Sequence, residues 1–173
     1  MTAKMQPFWY FLKPPFACPT GEQIQNRGFE AGSWTPWTHS AEDSYITNVY
    51  KRSGSYGAII GAHYVGGGVW SYGWIKQVFP TPIRSECFKT FEFWACTPTA
   101  IFTYFRVTIY YSDATETTID TNVSSLTWLK FDLLGYLDAG KNVSGWKVEA
   151  TGGTPTPIAG MAVDDFSGVC AQP

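Results

Sequence analysis

The chain has 173 residues, a length that suits one domain and allows an ordinary hydrophobic core. Charged residues make up 15% of it, apolar residues 45% and aromatic residues 17%, a profile that excludes intrinsic disorder. The formal net charge of -2 provides no basic field for nucleic acid or an acidic membrane, and no apolar run approaches the length of a membrane span.

Residues 1–20 read as an N-terminal arm and 21–173 as a single domain. The run Pro7–Leu12 is too short and too aromatic for the core of a secretion signal, and Lys13-Pro14-Pro15 cuts it off, so no such signal is expected. In water that run would expose a large apolar patch. Phe8, Trp9 and Phe11 are therefore expected to pack on the chain's own sheets or, as an added strand, on a second copy.

Beyond the arm, helical periodicity is scarce and alternation is common. Strands are predicted at 44–50, 56–61, 74–79, 88–95, 101–111, 115–123, 127–133, 143–150 and 158–166. Turn signals such as Gly66-Gly67-Gly68, Pro80-Thr81-Pro82 and Ser112-Asp113 separate them. The leucines of 125–137 also fit a helix, but the surrounding threonines and aromatics favour a strand to about Leu133 and then a turn. About nine short strands at this spacing indicate an antiparallel β-sandwich.

Alternation divides the residues between faces. In 88–95, Phe91, Phe93 and Ala95 share one face, with Glu92 and Trp94 on the other. In 101–111, Phe105, Val107 and Ile109 share one face, with Tyr104, Arg106 and Tyr110 on the other. The first of each set predicts the core. The second predicts a surface of Trp94, Tyr104 and Tyr110 interleaved with Glu92 and Arg106, the last two read as a structural ion pair.

Three landmarks stand in order along the chain: Asn26-Arg27-Gly28-Phe29-Glu30-Ala31-Gly32-Ser33-Trp34, then Ser53-Gly54-Ser55-Tyr56-Gly57-Ala58, and finally Met161-Ala162-Val163-Asp164-Asp165-Phe166. With Val107–Asp113 and Thr127–Lys130 between them, they resemble the jelly-roll carbohydrate-binding modules of the CBM4/9/16/22 type. The resemblance covers residues 24 to 168. It implies an all-β, two-sheet antiparallel jelly roll with adjacent ends, and an N-x-G-F-E motif lying in the first strand. It also implies a structural calcium held by Glu30 and Asp164, with backbone oxygens from Lys51–Gly54.

The ringed face suits a polysaccharide, because pyranose C–H faces stack on Trp and Tyr while polar neighbours hold hydroxyls. Trp70, Tyr72 and Trp74, just after the glycine run, are read as a rim platform on a loop. Glu92 is the only carboxylate placed on the ringed face, one short of the pair glycoside hydrolysis needs. His39 and His63 lack metal-ligand spacing. No enzyme is expected.

Four cysteines allow three full pairings. Across an extended 88–95 segment Cys87 and Cys96 would stand about 30 Å apart, too far for a bridge. Since first and last strands of a jelly roll pair, Cys18–Cys170 is the favoured disulfide. The expected function is non-catalytic glycan binding. The alternative is a structural subunit of a virion or extracellular filament on the same fold, assembling through the arm. Either places the chain outside the cell or on a virion surface.

Overall fold

The computed structural model describes residues 16–66, 69–98, 103–153 and 158–172; the arm residues Phe8, Trp9 and Phe11 lie outside them. The chain folds as two antiparallel sheets facing each other, the β-sandwich the alternation predicts. In chain order the strands are β1 (Gly21–Glu22), β2 (Thr38–His39), β3 (Ser44–Thr47), β4 (Gly57–Gly66), β5 (Val69–Tyr72), β6 (Trp74–Arg84) and β7 (Glu92–Cys96). They continue as β8 (Thr103–Tyr111), β9 (Glu116–Val123), β10 (Leu129–Asp132), β11 (Asn142–Gly153), β12 (Ile158–Ser167) and β13 (Val169–Cys170). One sheet runs β10-β7-β12-β4-β3, with β5 also on β4; the other runs β2-β6-β11-β8-β9. β1 and β13 pair apart from both, Gly21 opposite Cys170, so the described chain ends are adjacent.

Period-2 alternation builds the core from both sheets. Phe93, Ala95, Met161 and Val163 come from the six-stranded sheet, and Phe105, Val107, Ile109, Trp146 and Val148 from the five-stranded one; none is more than 1% exposed. Phe166 joins them because the pairing of β12 with β7 shifts between Asp164 and Ser167. Asp165 there adopts a left-handed φ of 48°, and the irregularity returns Phe166 to the inner face. The result is a nest of rings in which Trp146 touches Phe91, Phe93, Phe166 and Trp37 at centroid distances of 5.0–6.0 Å. Such pairs add about 0.5–1.5 kcal/mol each beyond area burial.

Three expectations about local structure change. The Gly28–Trp34 motif is not a strand: it forms turns, with Phe29 at a φ of 59° and fully buried. The 88–95 strand is broken, because Ser85–Cys87 is a 3-10 turn, Phe88 makes a single bridge to Cys170, and β7 starts only at Glu92. Third, Cys18 bonds to Cys87 and not to Cys170, with Cα atoms 5.4 Å apart. The 3-10 turn carries Cys87 to Cys18. In the β1–β13 register Cys170 faces Gly21, and so remains a buried thiol, as does Cys96. Burial pushes both thiols up to about 11.

Candidate functional site

The five-stranded sheet presents its outer face as ordered rows, fixed by strand register. One row is Trp74, Glu149, Arg106 and Asp120, from β6, β11, β8 and β9. The next is Thr38, Lys76, Lys147, Thr108 and Thr118. Beyond it Val78, Gly145, Tyr110 and Glu116 align, and at the far end Tyr104 faces Asn122. Tyr104 is 50% exposed, Val78 58%, and Trp74 and Tyr110 are half-buried. Rings and hydrogen-bonding groups therefore alternate across a single surface.

Its charges are organised in pairs. Arg106 donates to both oxygens of Asp120, from Nε at 2.7 Å and Nη2 at 3.1 Å. That fork holds the Asp120 carboxyl below its usual range and raises the guanidinium further. Lys147 Nζ lies 3.0 Å from Glu149 Oε2. Lys76 Nζ instead sits over the Tyr110 ring, 4.4 Å from its centroid.

The ringed surface expected from the sequence is thus divided between two faces. Tyr104, Arg106, Tyr110 and Trp74 share the five-stranded sheet. Glu92 and Trp94 lie on the outside of the six-stranded sheet, on the opposite side of the molecule. The reason is visible in the core: Phe93 and Phe105 meet edge-to-face at 6.0 Å across the two sheets, so the reverse faces of their strands point apart. Accordingly Glu92 does not pair with Arg106; its Oε2 lies 3.1 Å from Lys130 Nζ. The Trp94 ring is covered by the Arg52 guanidinium, 3.7 Å from the centroid. Trp70 and Tyr72 are on β5, a strand and not a loop, and Trp74 opens β6. The sequence reading missed Lys76, Asp120, Lys147 and Glu149. Alternation within 74–79, 115–123 and 143–150 already set them opposite the core; only the pairing of β6, β11, β8 and β9 was lacking.

Glu30 and Asp164 do converge, and the Lys51–Gly54 loop does reach them. Asp164 is fully buried on β12. Its Oδ2 accepts from Arg52 N at 2.7 Å and Ser53 N at 3.2 Å, and its Oδ1 accepts from Asp165 N at 2.7 Å. Burial raises its carboxyl to about 6 despite these bonds. Glu30 accepts from Ser55 N at 2.7 Å and Tyr56 N at 3.3 Å. Oxygens of both carboxylates flank Gly28, where a Cβ would stand 3.0 Å from Asp164 Oδ1 and 3.2 Å from Glu30 Oε1. Gly54 has a φ of 62° and meets the Glu30 carboxylate where its own Cβ would be, so glycine is needed there on two counts. Among the described residues no three His, Cys, Asp or Glu side chains gather at one metal-binding point. A cation here would draw the rest of its shell from backbone and water oxygens. An ionised carboxylate has about four acceptor positions, so the N–H bonds leave capacity for that role.

No family model and no curated protein matches the chain by sequence. Solved structures match its fold. A family 61 carbohydrate-binding module in complex with β-1,4-galactotriose is 13% identical, with a TM-score of 0.61 over 87% of this chain and 99% of that one. The CBM22-1 xylan-binding domain of Paenibacillus barcinonensis Xyn10C is 10% identical, with a TM-score of 0.58 over 91% and 99%. The enzymatically active domain of bacteriophage CBA120 tailspike protein 4 is 13% identical, with a TM-score of 0.60 over 86% of this chain but only 21% of that one. The chain has the jelly-roll fold of carbohydrate-binding modules.

Proposed function

We propose that the protein is a non-catalytic carbohydrate-binding module whose ligand lies along the outer face of the five-stranded sheet. The observation that carries this reading is the register of Trp74, Tyr104 and Tyr110 with Arg106, Lys147 and Glu149 on that one surface. Pyranose rings stack on the aromatics while the ion-paired side chains, already oriented, exchange hydrogen bonds with hydroxyls. The oligosaccharide-binding domains that share the fold support it. Hydrolysis finds less support, because it needs a carboxylic acid kept protonated opposite a second carboxylate. Asp120 is held ionised by Arg106.

Tyr104→Ala should weaken polysaccharide binding about tenfold, equivalent to 1.4 kcal/mol. As the ring is half exposed, stability should change by less than about 0.5 kcal/mol. Trp94→Ala should leave binding unaltered. Affinity electrophoresis against soluble polysaccharides, beside thermal melts, reads both. Equal binding by the wild type and Tyr104→Ala would reject this face.

Glu30 and Asp164 are the proposed ligands of a structural calcium, whose binding would tie the N-terminal turns to the last long strand. Calcium at a hundredfold excess over its dissociation constant should add about 2.7 kcal/mol of stability. The check is the melting temperature with calcium and after exhaustive chelation. Identical melts would remove the metal from the account.

A further inference from the structure

The outer face of the five-stranded sheet sets two like charges against each other. Lys76 on β6 and Lys147 on β11 are direct cross-strand partners, an arrangement that costs stability unless something offsets it. On β6, β11 and β8 the rows that hold them carry Lys76, Lys147 and Arg106 against a single carboxylate, Glu149. The other carboxylate in those rows, Asp120, stands on the edge strand β9, as does Glu116 of the next row. Glu149 takes Lys147 and Asp120 takes Arg106, and Lys76 has no carboxylate among the described residues. A second feature lies in the same row. Thr108, directly opposite Lys147, is only 4% exposed, and the described residues give its hydroxyl no hydrogen-bond partner. A hydroxyl with no partner among the described residues, beside a lysine with no carboxylate partner, has the composition of an anion site.

We propose that the glycan is acidic, with an anionic substituent held between Lys76 and Lys147 and a hydrogen bond from the Thr108 hydroxyl. This rests on the glycan-binding reading above and deepens it. The ligand offsets the repulsion between the two lysines and draws the Lys76 ammonium off the Tyr110 ring. That movement frees the ring face for the sugar that bears the charge. A uronate carboxylate and a sulfate ester share this chemistry, and the experiment distinguishes them.

The test compares polygalacturonate, dextran sulfate and neutral galactan by affinity electrophoresis at low and high salt, on the wild type and on Lys76→Met. Methionine keeps the packing over Tyr110 and removes the charge, and melts verify that the variant is folded. The wild type should prefer one acidic polymer over galactan at low salt and lose the preference at high salt. Lys76→Met should bind that polymer at least about fivefold more weakly, a clearly larger loss than any it shows on galactan. If polygalacturonate is the polymer retained, the anion is a carboxylate; if dextran sulfate, it is a sulfate. Binding of galactan in preference to both, or equal loss on all three in Lys76→Met, overturns the acidic-ligand inference and leaves glycan binding standing. Retention of no glycan overturns both.

Discussion

Phe93→Ala is expected to destabilise the protein by about 3–5 kcal/mol, a large part of the 5–15 kcal/mol that holds a typical domain folded. Phe93 is fully buried and stands where the sheets meet. From its own side it stacks on Phe131 at 5.3 Å and on Phe166 at 5.4 Å. Across the core it meets Phe105 and Trp146, each at 6.0 Å. Truncation removes all four contacts and leaves a cavity between rings on four different strands, which are too constrained to close it. Urea unfolding measures the loss. A cost below about 1 kcal/mol would mean that the aromatic nest is not the core described here.

The Cys18→Ser/Cys87→Ser variant carries the second large effect. The disulfide spans a sequence separation of 69, for which the chain-entropy model gives about 4 kcal/mol. Its position adds a local consequence. Cys18 N and O both bond to the Gln172 side chain, and Ala171 N bonds to Cys87 O, so the bridge secures the described start of the chain to its end. Unfolding of the double variant should occur at markedly lower denaturant with a raised m-value, because the unfolded chain is no longer held compact by the cross-link. Non-reducing peptide mapping checks the premise: it should yield a linked Cys18–Cys87 peptide, and a Cys18–Cys170 peptide would contradict the structure.

Alternation made the strands and the core legible before any coordinates. The runs around Phe91–Ala95 and Phe105–Ile109 admit only one buried face each, and those faces are the ones buried. Adjacency could not be read the same way. Period-2 patterning says which residues share a face of one strand, but nothing about which strand lies beside it. Assuming that successive strands pair joined Trp94 to Tyr104, whereas β7 and β8 belong to different sheets. The disulfide was misread for a related reason. Pairing of the first and last strands set Cys18 beside Cys170, whereas the 3-10 turn at Ser85–Cys87, which has no periodic signature, brings Cys87 to Cys18. The convergence of Glu30 with Asp164 was implied by the family resemblance and needed no pairing argument.

Glycan is expected on the five-stranded sheet and not on the face that carries Trp94. Two-dimensional NMR of the labelled protein, titrated with an oligosaccharide of the retained polymer, tests it most directly. Perturbations are expected at Trp74, Lys76, Tyr104, Arg106, Tyr110 and Lys147, with the Trp94 indole and Arg52 resonances unmoved. Perturbations centred on Trp94, Glu92 and Arg52 would contradict it.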